Sequence, residues 1–327
     1  MNNPQEILAH CGKKFGSHWY HTQAGGGNIS FKNSDHLFIK TSGSTLASMS
    51  DPGNTVEINL KEFNKIIGEN RLNSDIQSSS ATVENWLSSF KSTTGKTPSV
   101  ESCFHSIGKP FVIHTHLVSA ISVASSVKAE KIISEVEAIS ETQITWVPYY
   151  RPGWPLYRAI YERFFSNESG IFLLQNHGIV IYADTLEEAE FLFNNTQTAL
   201  DSWLGRSSLP QALVDFDEIT TDVFEVKSEH DILTYYANAL TPDFVLHFGP
   251  GYQEVDSMNF EGSTGLYRFG DRLFIAGYGS SADGARDILR QQLQCCLDIS
   301  KTGNIRFLSG NACQDLISWG PGKYSGR

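Results

Sequence analysis

Positive charge is in short supply. Against 36 Asp and Glu stand 25 Lys and Arg, a formal net charge of -11, and no basic stripe interrupts the excess. That balance excludes the electrostatic footprint that nucleic-acid partners require. Long apolar runs are also missing. None approaches the roughly 20 residues needed to cross a bilayer, and the opening MNNPQEILAHCGKKFG lacks a basic segment leading into an apolar core. The sequence therefore predicts a soluble, cytoplasmic protein with neither membrane nor nucleic acid as partner. Cysteine is sparse: Cys11, Cys103, Cys295, Cys296 and Cys313 are an odd set without C-x-x-C spacing. This excludes a disulfide framework and disfavours a closed structural zinc site, leaving the thiols as small buried hydrophobes. No repeat of solenoid or propeller spacing occurs.

What is present suits a folded core. The 327 residues are 40% hydrophobic and 12% aromatic, enough for a main domain and a smaller second one. The spacing predicts domains over residues 1–210 and 225–327, joined by a linker of low periodicity over 205–227. After an N-terminal helical pattern come a strand, the Gly25-Gly26-Gly27-Asn28 turn, a strand over 36–40 and the hydroxyl-rich turn Thr41-Ser42-Gly43-Ser44. Residues 70–97 read as a loop-rich surface excursion with a short helix over 81–90. Thr97-Pro98-Ser99 opens a helix over 101–107, and apolar strands follow over 111–117, 170–174 and 179–182. Thr185-Leu186-Glu187-Glu188 has the form of a capping box, with Leu186, Ala189, Phe193, Leu200 and Leu204 on one helical stripe. Beyond the linker the pattern predicts a helix near 230–240, a strand over 244–248, a hairpin at Gly270-Asp271 and a helix from about 282 to 300.

The chemistry-bearing residues cluster around these strands. His114-Thr115-His116 lies in an apolar strand, where alternate side chains share a face, so both imidazoles point one way. His177 sits in a break between two strands, where its ring can be aimed at a neighbour. Three neutral imidazoles on one ion leave a tetrahedral place open, which marks a catalytic site rather than a structural one. Taken alone, a His-x-His pair also fits two satisfied core histidines. Glu101 falls in the first turn of its helix beneath a plausible Ser99 cap; there it serves either as a partner of the helix dipole or, if the fold brings it beside a metal, as a general base. The two turns at 25–30 and 41–44 are backbone nests of the kind that cradle a phosphate or carboxylate, and equally ordinary glycine turns.

Read together and in order, Gly27-Asn28-Ile29-Ser30, Thr41-Ser42-Gly43, Pro98-Ser99-Val100-Glu101, His114-Thr115-His116 and Asn176-His177-Gly178 resemble the class II aldolase/adducin family over roughly residues 8–204. The resemblance implies an α/β fold layered around a mostly antiparallel central sheet with helices on both faces, followed here by a smaller α/β domain of no assigned role. It implies assembly as a homo-oligomer, usually a tetramer, and Zn2+ or another divalent metal on His114, His116 and His177. Glu101 matches the residue that moves the proton, while Asn28, Thr41, Ser42, Gly43 and Ser99 match positions lining the phosphate end of the substrate. The implied activity is aldol cleavage or formation of a carbon–carbon bond in a small sugar or sugar phosphate, through an enediolate stabilised by the cation. Epimerases of the family commonly carry aspartate at the position of Glu101, which favours the aldolase branch. Epimerisation, decarboxylation, dehydration, and a non-catalytic adducin-like interaction module are the alternatives. Val100 departs from phosphate-binding members, which show a second hydroxyl residue there. The Gly-rich run and Pro98-Ser99-Val100-Glu101 look closer to the rhamnulose-phosphate aldolase-like part of longer proteins fused to a dehydrogenase, although no dinucleotide fingerprint follows residue 205.

Overall fold

The structure, a computed structural model, describes residues 3–164, 168–260, 264–301 and 303–319; the end of the expected second domain, 320–327, lies outside them. In chain order the elements are α1 (Pro4–Gly16), β1 (Asn28–Lys32), β2 (His36–Lys40), β3 (Thr55–Asn59), α2 (Leu60–Arg71), α3 (Ile76–Ser88) and a 3-10 helix over Val100–Ser106. Next are β4 (Phe111–Thr115), α4 (Val118–Ala124), α5 (Ala129–Ser140), β5 (Ile144–Val147), α6 (Trp154–Glu162), β6 (Gly170–Leu174), β7 (Gly178–Ala183) and α7 (Leu186–Trp203). The C-terminal part adds β8 (Asp215–Thr220), β9 (Val223–Lys227), α8 (Ile232–Tyr236), α9 (Pro242–Phe248), β10 (Gln253–Glu254), β11 (Gly265–Phe269), β12 (Arg272–Ala276), α10 (Ala282–Ser300) and α11 (Gly310–Trp319).

The architecture is the expected layered α/β fold. A seven-stranded sheet of order β3-β2-β1-β4-β7-β6-β5 is antiparallel except at the β5–β6 edge pair. β4 and β7, paired from Phe111–Ala183 to Thr115–Ile179, are buried at every residue, as strands covered on both faces must be. Alternation then sorts their side chains. Ile113, Ile179 and Ile181 pack with α1, α4, α5 and α7 on one face, and Val112, Val180 and Tyr182 with α2, α3 and α6 on the other. Half of the expected capping box forms: Thr185 accepts from the Glu188 N–H at 3.1 Å, while the Glu188 carboxylate accepts from the N–H of Asp184, one residue before the cap, at 3.1 Å, securing α7.

A second sheet, β10-β11-β12-β9-β8, has its own core with α8, α9 and α11. One helix serves both cores: α10 sends Ile288, Leu289 and Leu293 into the C-terminal cluster and Cys295, Cys296 and Ile299 into the first. Arg206, just past α7, pairs with Asp298 of the same helix. The five cysteines are buried and free. Among the described residues no helix is long and apolar enough to cross a membrane.

Several local expectations need correction. The span 205–227 is not all linker, because it contains β8 and β9. β8 carries acidic and hydroxyl residues and is almost wholly exposed, so it lacks the apolar alternation that betrays a half-buried strand. Residues 244–248 form helix rather than strand: Thr241 accepts from the Phe244 N–H at 3.3 Å and Pro242 occupies the first turn, a helix-start pattern that outweighs the apolar run. The helix near 230–240 shortens to α8. Within 70–97, α3 is a helix of 13 residues capped by Asp75, and it buries Val83 and Leu87. The first strand begins at Asn28, after the Gly-rich turn rather than before it.

Candidate metal centre

The sheet brings the three histidines together. β4 carries His114, and His116 follows one residue past its end, while the turn from β6 to β7 carries His177. That turn is conformationally demanding. Asn176 has φ 60° and Gly178 φ 154°, and a Cβ on Gly178 would lie 2.2 Å from the Thr115 carbonyl oxygen. Only glycine lets the chain pass that close to β4. The ring centroids of His114, His116 and His177 stand 4.9 to 5.0 Å apart, and one nitrogen of each lies within 4.8 Å of the others.

Their protons are arranged for ligation. The Ile179 carbonyl accepts from His114 Nδ1 at 2.9 Å. A carbonyl can only accept, so Nδ1 holds the proton, and the Nε2 lone pair faces the cluster, where it has no hydrogen-bond partner. His177 turns its Nε2 toward the cluster, 3.4 Å from Glu101 Oε1. Burial, followed by repulsion from the neighbouring imidazoles, holds His114 and His177 well below the ordinary imidazole range, in the neutral form that metals bind.

Glu101 closes one side. It sits in the 3-10 helix, where Ser99 Oγ accepts from its N–H at 3.3 Å. Its Oε2 is 3.6 Å from His114 Nε2 and its Oε1 3.4 Å from His177 Nε2. Asn28 Nδ2 donates to Oε2 at 3.0 Å. Because the Asn28 amide points its nitrogen at Glu101, its oxygen meets His105 Nε2, whose Nδ1 lies 2.7 Å from Ser30 Oγ. Lys32, buried, donates to the carbonyls of His105 and Ile107 at 2.6 and 2.7 Å and so ties off the 3-10 helix. Burial pushes the Glu101 carboxyl up to about 7, against the pull of His116 and the Asn28 hydrogen bond.

The opposite side is closed by a residue the sequence did not single out for a role. Asp243, in the first turn of α9, brings Oδ2 to 2.6 Å from His116 Nδ1, while the far nitrogen of that ring accepts from Gly27 N–H at 3.3 Å. Burial raises the Asp243 carboxyl, but the charge on His116 outweighs it and holds the group at about 2. His116 is raised in turn, because Asp243 and Glu101 together overcome the effect of burial.

The residues expected at a phosphate end stand near one another but are partly committed. Besides Asn28, Thr41 Oγ1 is 2.7 Å from Ser44 Oγ and 3.2 Å from the Asn54 carbonyl. Ser42 N–H donates to the Thr97 carbonyl at 2.8 Å, and Ser99 Oγ caps Glu101. Gly43, at φ 74°, is exposed with open space around it. Lys40 was missed by sequence reasoning. Buried, its ammonium donates to the carbonyls of Gly25 at 2.8 Å and Ser44 at 2.6 Å, clamping the two turns together; burial lowers it to about 8 against the attraction of Glu101 and Asp243. A lysine ending an apolar strand run was the available signal, as the Thr-Pro-Asp helix start was for Asp243.

The donor set fits a divalent cation. Buried polar atoms normally find partners, yet His114 Nε2, Glu101 Oε1 and Asp243 Oδ2 have none by hydrogen bonding. Neutral imidazoles with carboxylate oxygens are the ligands that zinc and its neighbours prefer.

The family model of the class II aldolase and adducin N-terminal domain matches residues 6–204, and the chain belongs to that family. Among curated proteins it is similar to the uncharacterized oxidoreductase YuxG of Bacillus subtilis, 27% identical over 174 residues. That match takes in 50% of this chain and 24% of the relative, so the chain spans about a quarter of that protein's length. Among solved structures it is similar to the N-terminal class II aldolase domain of a conserved protein from Thermoplasma acidophilum, at 18% identity, TM-score 0.49, covering 63% of this chain and 94% of that one. It is also similar to the L-fuculose-1-phosphate aldolase of Thermus thermophilus, at 15% identity and TM-score 0.38, covering 61% and 90% of the two chains.

Proposed function

We propose that the chain is a metal-dependent aldehyde-lyase that cleaves or forms a carbon–carbon bond in a small sugar or sugar phosphate. The observation that carries this reading is the convergence of His114, His116 and His177 with the carboxylate of Glu101 at 3.4 and 3.6 Å. The three imidazoles would hold the cation, Zn2+ by donor type. When bound, the cation polarises a substrate carbonyl and offsets the negative charge that develops as the bond breaks. Glu101 moves the proton: Asn28 fixes one of its oxygens while the other faces the cluster without a hydrogen bond, as a general base needs. Lys40 clamps the Gly25–Gly27 and Thr41–Ser44 turns together, and Asn28, Thr41, Ser42, Gly43 and Ser99 would orient the far end of the substrate. Assembly as a homotetramer belongs to the same proposal and is read by light scattering.

Dialysis against a chelator, followed by an assay for aldehyde release from a panel of ketoses and ketose phosphates, tests the reading. Activity lost on metal removal and restored by Zn2+ supports it. Activity indifferent to the chelator counts against it, and a rearranged rather than cleaved sugar assigns the same centre to epimerisation.

A further inference from the structure

We propose that Asp243 is itself a ligand of the cation, so that the C-terminal segment, outside the residues matched by the family model, builds one side of the metal centre. This rests on the metal-centre reading above.

Asp243 is 7% exposed, and a buried carboxylate is costly unless fully satisfied. Its Oδ2 lies 2.6 Å from His116 Nδ1 and meets no second donor. A carboxylate placed only to orient the ring would lie in line with the N–H. Here the pair is unaligned, and a cation that displaces the Nδ1 proton would draw the two atoms apart to the ~3.3 Å that ligands at about 2.0–2.2 Å keep around a tetrahedral ion. An ion pair confined to His116 and Asp243 would also leave His114 Nε2, 3.6 Å from Glu101 Oε2, without a hydrogen bond, whereas a cation held among the imidazoles satisfies it.

The position of Asp243 is built. Thr241 Oγ1, the cap of α9, is 3.4 Å from Gln291 Oε1 of α10. Gln291 Nε2 donates to Gln23 Oε1, and Gln23 Nε2 reaches the His116 carbonyl at 3.4 Å. The ring of contacts thus runs from His116 through α10 back to the helix bearing Asp243. On the other flank, Asn176 Nδ2 donates to the carbonyls of Leu240 and Arg306 at 2.8 and 2.7 Å, tying the His177 turn to the same segment. Ligating side chains held by such outer contacts keep their geometry without cost at the moment of binding. The two carboxylates then divide the work: Asp243, closest to an imidazole nitrogen, ligates, and Glu101, held by Asn28, is free to exchange protons.

Crystals of the full chain grown with zinc and measured at the zinc edge decide the matter without any variant. The expected result is one ion with Asp243 Oδ2 at about 2.0–2.2 Å beside the three imidazoles; an ion on the histidines with Asp243 outside that distance overturns the inference. In solution, Asp243→Asn keeps an acceptor for a His116 N–H but loses the charged ligand. Competition with a chromophoric chelator should show zinc affinity falling by more than the about 10–100-fold that loss of an outer partner costs, with altered visible bands of the cobalt(II)-loaded protein. A smaller loss with unchanged cobalt bands overturns the proposal. If the unaltered chain takes up neither zinc nor cobalt, the metal-centre reading fails with it; if it binds both and Asp243→Asn matches it, only the role of Asp243 falls.

Discussion

The two sheets approach the histidine cluster differently. The seven-stranded sheet supplies His114 from β4, His116 just past its end and His177 from the neighbouring turn, beside strands buried at every residue. The C-terminal region supplies one carboxylate from α9, a helix of seven residues, and its own sheet ends in β8, which is nearly all exposed. Strands buried on both faces cannot shift register without moving a whole set of side chains out of the core, so the three imidazoles are placed rigidly. Asp243 depends instead on caps and side-chain contacts along α10. The difference teaches that the first region fixes where the three imidazoles converge, whereas the second closes their far side with a carboxylate.

The contrast breaks most readily at the histidines. His114→Ala and His177→Ala should abolish zinc uptake, seen by elemental analysis, and bring aldehyde release to background; a variant that keeps its metal would relocate the site. Next, Glu101→Gln should retain the metal but lose about 10^2–10^4-fold in turnover, the usual worth of a positioned base; wild-type turnover would remove Glu101 from proton transfer. The junction between the regions is probed by Asn176→Ala, which deletes two hydrogen bonds to the C-terminal segment and places alanine at φ 60°. A loss of about 2–4 kcal/mol in denaturant unfolding is expected; a loss below about 0.5 kcal/mol, the range of neutral surface changes, would mean the two regions are energetically independent.

A smaller effect separates the first region's general stability from its site. His21, packed edge-on at 5.4 Å against Phe193 of α7, is held down to about 4 from 6.5 by burial. A depressed folded-state value means that the stability it contributes is complete above pH 6.5 and lost as pH falls toward 4. His21→Phe should flatten that limb of the pH–stability curve by about 1–3 kcal/mol, discounted for its partial exposure. An unchanged limb would move the acid sensitivity elsewhere. Least of all, Phe191→Ser on the outer side of α7, at 64% exposure, should change stability by under about 0.5 kcal/mol; a larger loss would show that another copy covers this face.

Legibility followed the length scale of the pattern. β4, β6, β7 and α7 were readable because apolar runs, alternation and a helix cap are short-range signals, and the three histidines stand on or beside these strands. α9 was misread as strand because Phe244-Val245-Leu246 is apolar and short, and its Thr241 cap weighed too little. β8 hid in the expected linker because an exposed strand has no buried face to betray it. Lys40 and Lys32 became visible only in three dimensions, since what makes them structural is the set of carbonyls that surrounds their ammonium groups.

By itself the sequence determined the layered α/β class, the family, and three imidazoles carried by adjacent strands, because periodicity and local motif constrain a strand or helix within a few residues. Only the tertiary structure decided that Asp243 meets His116, that Asn28 holds Glu101, and that α10 belongs to two cores. Such pairings depend on which distant surfaces are complementary once packed, and nothing local to either partner records that.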